Sequence, residues 1–277
     1  MQLKKRILEY LRLPLIHVVA ELIRLRRTTS VLLLHNLAKG PYRGAHKGAW
    51  GLPENTYESV KAAYEQGYPI VEVDIAETAD NVIVLLHDDT IDRTSNGSGK
   101  VLEMTYQQLS AFDFSGTDIV EDLYGGGENQ CVTIPTLASI LTLVKQYGGI
   151  LNLDVARHDR IKRDSYKRIV KLIRTFHMEN QVYIEIDCSV SNVIKWLWYA
   201  PDLIYEFANV STEKTFRKIL PFAKSLSDAV VLTREINPKI VQLAHDNNLL
   251  VSFWTAHNDQ TMQLAISGKY DIIGCEF

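Results

Sequence analysis

Two histidines and three carboxylates stand out by type and spacing: His46, Glu72, Asp74, His87 and Asp154. Glu72 and Asp74 sit two apart in the run Val71-Glu72-Val73-Asp74-Ile75. A strand therefore puts both acids on one face and Val71, Val73 and Ile75 on the other. Two carboxylates about 4 Å apart repel by about 4 kcal/mol at an effective dielectric of about 20. If Asp154 enters the same space from the next parallel strand, the three need protons or a cation. Oxygen ligands without thiolates favour Ca2+ or Mg2+ over Zn2+. Acids salt-bridged at strand ends are the alternative. His46 and His87 each close a β-like run. Imidazole changes charge near neutral pH and suits general acid and base work, although a lone strand-end histidine is commonly structural. The other six, His17, His35, His158, His177, His245 and His257, read as structural.

These residues need strands to carry them. Short β-like runs occur at Tyr42–His46, Ile70–Ala76, Val82–His87, Ile150–Val155, Val182–Ile186, Leu203–Phe207, Ala229–Thr233, Leu249–Trp254 and Asp271–Gly274. Amphipathic stretches separate most of them, among them Glu54–Gln66, Thr136–Tyr147, Asp164–Phe176, Asn192–Tyr199 and Lys239–Asn247. Strand–helix alternation of this kind predicts a parallel sheet. Only Glu77 to Asn81 separate the second run from the third, and a parallel crossover needs a dozen or more residues. The third run must return antiparallel as a hairpin, which leaves eight parallel strands, the count of an α/β (β/α)8 TIM barrel. A two-residue Asp80-Asn81 turn would set Asp74 directly opposite His87. A slip of one residue would send His87 to the other face.

Several segments together resemble the glycerophosphodiester phosphodiesterase family. They are Gly44-Ala45-His46-Lys47-Gly48, Pro53-Glu54-Asn55-Thr56, Val71-Glu72-Val73-Asp74, and His87-Asp88 through Asp92-Arg93-Thr94-Ser95-Asn96-Gly97-Ser98-Gly99. Weaker matches follow at Ile134-Pro135-Thr136-Leu137, Leu153-Asp154, Trp254-Thr255 and Asp271 to Glu276. The resemblance implies a TIM barrel over residues 41–277 with a small insertion at about 88–133, after the second strand. It implies His46 and His87 as the acid–base pair and Glu72, Asp74 and Asp154 as ligands of a divalent ion. Lys47, Glu54, Asn55 and Trp254 would lie around the substrate. The implied chemistry is attack on phosphorus by a substrate hydroxyl next to the diester. One histidine accepts its proton, the other protonates the departing alcohol, and a cyclic phosphate forms and is hydrolysed.

Three positions depart from the family pattern. Lys47 stands where Arg is usual, keeping the charge but losing the bidentate fork. Asp154 stands where Glu is usual and is one methylene shorter. Ala156 replaces a lysine, and Arg157 can supply that charge only if the strand end bends. Both histidines and the Glu-x-Asp pair are intact, which favours a working enzyme.

The whole chain has 277 residues, 46% of them hydrophobic, and a net charge of −3, which excludes a disordered chain and argues against nucleic acid as a partner. That total hides a basic segment. Residues 1–30 hold seven basic residues and two acidic ones, so they carry +5 and the remainder −8. Leu8, Leu11, Leu15, Val18, Leu22 and Leu25 recur at helical spacing there, predicting an amphipathic helix within residues 1–40, bent at Pro14. It would lie on an anionic membrane surface, pack beside the first strand where no C-terminal helix follows Phe277, or do both. The segment is too short and polar to span a bilayer. Cys131, Cys188 and Cys275 show no metal-ligand or redox spacing and read as small buried hydrophobes of a reducing compartment. The expected location is cytoplasmic or peripheral at a membrane. The expected activity is metal-dependent hydrolysis of glycerophosphodiesters to an alcohol and glycerol phosphate. Alternatives are the same chemistry on a lysophospholipid or a glycerol-phosphate-containing polysaccharide, and a catalytically silent phosphodiester-binding barrel.

Overall fold

The computed structural model describes residues 15–26, 40–115, 131–157, 159–226 and 229–277. The predicted bend at Pro14, Leu8 and Leu11 of the apolar stripe, His35, His158 and part of the expected insertion lie outside them. The first helix, α1, covers residues 15–26. The chain then runs β1 (Tyr42–His46), α2 (Tyr57–Glu65), β2 (Ile70–Glu77), β3 (Ile83–Leu85), α3 (Tyr106–Leu109), α4 (Leu137–Tyr147), β4 (Ile150–Asp154), α5 (Ser165–Thr175), β5 (Val182–Ile186), α6 (Val190–Tyr199), β6 (Ile204–Phe207), α7 (Glu213–Ala223), β7 (Ala229–Thr233), α8 (Pro238–His245), β8 (Leu250–Ala256), α9 (Asp259–Ser267) and β9 (Ile272–Cys275).

Eight strands are parallel, and β1 pairs with both β9 and β2, which closes the barrel. Alternation along each strand divides the apolar residues between two layers. Val71, Val73, Ile75, Leu151, Leu153 and Ile184 face the helices and join one cluster with the helix undersides. Ile70, Ile150, Tyr183, Ile204, Val230, Leu232, Trp254 and Ile272 form a second cluster on the inner face. In β2 that inner face continues from Ile70 to Glu72 and Asp74, so the acids sit one and two layers above an apolar floor.

β3 returns antiparallel, as the short connection requires, but one residue out of the expected register. Ile75 pairs with Leu85, Ala76 with Val84 and Glu77 with Ile83. Thr78 and Val82 close a loop of Ala79, Asp80 and Asn81, with Asn81 in the left-handed region at φ 68°. The loop thus has three residues rather than two. Asp74 is bonded through its carbonyl to the N–H of Leu86, not set opposite His87. The strand ends at Leu85, so His87 is aimed by the chain that follows rather than by the pleat. Ala76, Val84, Leu86, Ile91, Val101, Leu109, Phe114 and Ile134 make a third apolar cluster that seats the described part of the insertion.

Helix α1 is apolar on two sides. Ala20 and Ile23 are buried, and Ile16 and Val19 pack on the main core. The predicted stripe of Leu15, Val18, Leu22 and Leu25 is exposed, with Leu25 68% accessible. The Arg26 guanidinium lies 4.5 Å over the Trp198 ring at the end of α6, across the barrel from β1 rather than beside it. No described helix is long and apolar enough to cross a membrane. The cysteines are unpaired, and only Cys275 is buried; Cys188 is half-buried and Cys131 exposed, against the expectation that all three are core residues.

Candidate active site

The β2–β4 register places Asp74 beside Asp154 and Glu72 beside Asn152. One oxygen each from Glu72, Asp74 and Asp154 lies within 4.8 Å of the other two, and all three side chains are buried. Burial, Asp74 and Asp154 push the Glu72 carboxyl well above its usual range. Burial and Asp74 raise Asp154 as well. Burial would also raise Asp74, but Arg160, Lys47 and His87 outweigh it and hold Asp74 low. Three converging oxygen donors whose mutual repulsion is only partly relieved, as the raised Glu72 and Asp154 carboxyls show, fit a hard divalent cation.

The turn after β1 and the start of α2 hold these acids from outside. Lys47 adopts φ 59° and Gly48 φ 97°, and a Cβ on Gly48 would come within 2.3 Å of the Ser59 hydroxyl. In this tight turn the Lys47 N–H donates to Glu72 Oε2 at 3.0 Å. Asn55, also left-handed at φ 58°, precedes the α2 cap residue Thr56, whose hydroxyl accepts from the Ser59 N–H. Asn55 Nδ2 donates to Asp74 Oδ2 at 2.8 Å, and its Oδ1 accepts the Asp74 N–H at 2.9 Å. Both ends of its amide bond to Asp74, so Asn55 positions that acid.

Each histidine is oriented through Nδ1 by a carboxylate. His46 Nδ1 contacts Glu276 closely, and its Nε2 lies 3.8 Å from Glu72 Oε2. His46 and His257 together hold Glu276 down to about 2. His87 Nδ1 donates to Asp88 Oδ1 at 2.6 Å. Burial opposes ionisation of Asp88, but Arg93 and His87 bring it to about 2. With Nδ1 held by a carboxylate, Nε2 is the ring nitrogen left to face other groups. Asp88 and Glu276 fall within the motifs above, which give them no such task. The His87-Asp88 dipeptide was a usable signal for one; Glu276, 230 positions from its partner, offered none.

Lys47 Nζ is 3.6 Å from Glu54 Oε1, and Arg93 makes two bonds to the same carboxylate at 2.6 and 2.9 Å. Glu54 is thus a rim anchor shared by two cations. Trp254 is only 2% exposed, and its ring lies 5.9 Å from that of His46. A Cβ on Gly274 would fall 1.6 Å from the indole and one on Gly44 2.6 Å, so the indole fills space that both glycines vacate. Arg157 pairs with Asp159 at 2.7 Å, and Asp88 and Asp74 also stabilise its charge from the site. Arg160 enters as well, fully buried, with Nη1 3.2 Å from Asp74 Oδ1 and Nη2 3.3 Å from Asp154 Oδ2. It arrives from a loop six positions beyond Asp154, where no pattern in the residues marks it.

Two further acids line the barrel. Glu206 accepts from Asn152 Nδ2 at 2.7 Å and from the Ser252 hydroxyl, and burial raises it to about 7. Glu185, buried beside Asp154 in register, lies 3.3 Å from Arg234 Nη2 and is pushed well above its usual range by burial, Asp154 and Glu206.

A closed eight-stranded parallel barrel, with a triad of acids and two carboxylate-bound histidines gathered at one end, defines a (β/α)8 protein with a buried acidic site. Residues 43–275 match the model of the Glycerophosphoryl diester phosphodiesterase family, and the chain belongs to that family. It is 30% identical over 141 residues to a glycerophosphodiester phosphodiesterase of Caldanaerobacter subterraneus subsp. tengcongensis, covering 50% of this chain and 55% of that one. The matched segment thus spans about half the length of that relative. A glycerophosphoryl diester phosphodiesterase from Parabacteroides distasonis has the same fold at TM-score 0.69 and 24% identity, covering 90% of this chain and 89% of that chain. An Oleispira antarctica phosphodiesterase in complex with the product sn-glycerol-3-phosphate superposes at TM-score 0.70 and 20% identity, covering 85% and 93%.

Proposed function

We propose that the chain is a divalent-metal-dependent phosphodiesterase that cleaves glycerophosphodiesters to an alcohol and a glycerol phosphate. The observation that carries the reading is the pair His46–Glu276 and His87–Asp88 flanking the Glu72, Asp74 and Asp154 carboxylates. Glu72, Asp74 and Asp154 would hold the ion, Ca2+ or Mg2+, which when bound supplies positive charge against the charge developing on the phosphoryl oxygens. One histidine Nε2 takes the proton of the substrate hydroxyl next to the diester as its oxygen attacks phosphorus. The other gives its proton to the departing alkoxide. Water then opens the cyclic phosphate with the two histidines in exchanged roles. Lys47 adds a cation at the rim. Glycerophosphocholine assayed with and without chelator tests this: wild type should release choline only with the ion, and His46→Ala should release almost none. Absence of any alcohol release from every diester tried would leave a silent binding barrel.

A lipid-derived substrate such as a lysophospholipid, with peripheral membrane contact through residues 1–30, is favoured by one further observation. Leu15, Val18, Leu22 and Leu25 are exposed on the helix that also carries Arg24 and Arg26. Flotation with anionic vesicles should lose the protein when residues 1–30 are deleted, and unchanged flotation would remove this reading.

A further inference from the structure

We propose that Arg160 is a built-in countercharge of the acidic site, competing with the divalent ion for Asp74 and Asp154 and thereby setting a weak affinity for it. The inference rests on the metal-site reading above and goes beyond it. Arg160 is fully buried, and its two terminal nitrogens face Asp74 Oδ1 at 3.2 Å and Asp154 Oδ2 at 3.3 Å. Nη2 also donates to the Asp154 carbonyl at 3.2 Å, and Nη1 donates to the carbonyl of His87. Among the described residues the buried Nε has no hydrogen-bond partner.

A buried guanidinium is expensive to desolvate and remains only where anions hold it. Two of those anions are acids that a divalent ion would need. When all three carboxylates are ionised, Arg160 balances one of the three charges, and the remainder is what draws a divalent ion. The cation is placed by backbone as well as by charge, because the Arg160 carbonyl accepts the Glu77 N–H at 2.9 Å at the end of β2. The guanidinium is also held by the His87 and Asp154 carbonyls, which an ion on the carboxylates would leave free to keep it, so the two cations would repel. The other consequence is that the barrel is held together when the ion is absent, since Asp74 and Asp154 are not left facing each other unshielded.

The test is ion binding by calorimetry, together with thermal unfolding of the full chain in chelator and in Ca2+ or Mg2+. Arg160→Gln should melt earlier than wild type in chelator, bind the ion about tenfold more tightly, and gain a larger ion-dependent rise in Tm. A merely structural role would lower Tm equally with and without ion and leave affinity unchanged, which overturns the proposal. Weaker ion binding by Arg160→Gln overturns it too, because Arg160 would then be a scaffold for the ligands. If Arg160→Gln does not fold, Arg160→Lys decides. With the charge kept, its affinity should stay within about threefold of wild type, and a larger loss contradicts the proposal. If neither wild type nor variant binds any ion, the metal-site reading falls as well, whereas binding by wild type with unchanged affinity in the variant refutes Arg160 alone.

Discussion

Asn55 grips Asp74 at two points, donating to its Oδ2 at 2.8 Å and accepting from its backbone N–H at 2.9 Å. The first bond fixes the carboxylate, and the second fixes the strand that carries it. Groups that orient metal ligands typically matter 10- to 100-fold in affinity or activity. Asn55→Ala should therefore weaken divalent binding and activity by about 10- to 100-fold while leaving the far-UV spectrum unchanged. Asn55→Asp, which adds a fourth acid, should be at least as severe. Ion titration followed by activity checks both.

In the proposed function His46 and His87 are separate proton carriers, so each should account for about 10²- to 10⁴-fold in rate. His46→Ala and His87→Ala should both fall by that much on a diester with an alkyl leaving group. On a p-nitrophenyl diester, whose leaving group needs no proton, one of the two variants should recover most of its activity. Equal loss by both on both substrates would contradict the division of labour.

Glu206 is wholly buried and its carboxyl is raised from 4.5 to about 7 by burial. The folded state therefore holds a proton that the unfolded chain releases near its ordinary value. This contribution to stability is complete below about pH 4.5 and is lost as pH rises to about 7. The shift corresponds to about 3 kcal/mol. In chelator, urea midpoints should fall between pH 5 and 7, and Glu206→Gln should flatten that slope.

The glycine beneath Trp254 offers a packing test. A Cβ on Gly274 would sit 1.6 Å from the indole, inside the barrel where nothing can yield cheaply. Gly274→Ala should destabilise by about 3 kcal/mol, at or above the upper end of ordinary overpacking. Gly67→Ala, with no neighbour within 4 Å but φ 84°, isolates backbone strain from contact. Its penalty should be smaller, and the difference in urea midpoint at constant m measures the clash.

On α1, Ile23 is wholly buried and Leu25 is 68% exposed. Ile23→Ala should cost about 2–5 kcal/mol and Leu25→Ser almost nothing. If the exposed stripe meets lipid, Leu25→Ser paired with Leu22→Ser should reduce vesicle flotation without moving Tm.

Much of this was legible in the residues. The strand runs, the five-residue connection that forces a hairpin, and the Glu72-x-Asp74 face all follow from local periodicity and reach, which the chain states plainly. The hairpin register did not follow, because Asn81 tolerates the left-handed region and lengthens the turn by one residue. The reading of α1 depended on choosing between two stripes of equal spacing. Ile16, Val19, Ala20 and Ile23 won the core, with small Ala20 permitting close approach, and the leucines were left outside. Arg160, and the contact of Glu276 with His46, were not legible, for a different reason. Both act at long range in sequence from irregular backbone, where no period exists to read. Glu185 and Glu206 could have been suspected, since an acid within an apolar strand run must find a partner or keep its proton.

The most direct measurement of the central claim is a ³¹P NMR time course of glycerophosphocholine with wild type and Asp74→Asn, in divalent ion and in chelator. The account predicts that wild type with ion converts the diester resonance into glycerol phosphate by way of a cyclic phosphate signal. Chelator or Asp74→Asn should slow this by about 10²-fold or more. Turnover that is undiminished in chelator and in Asp74→Asn, or no turnover by wild type with ion, would contradict it.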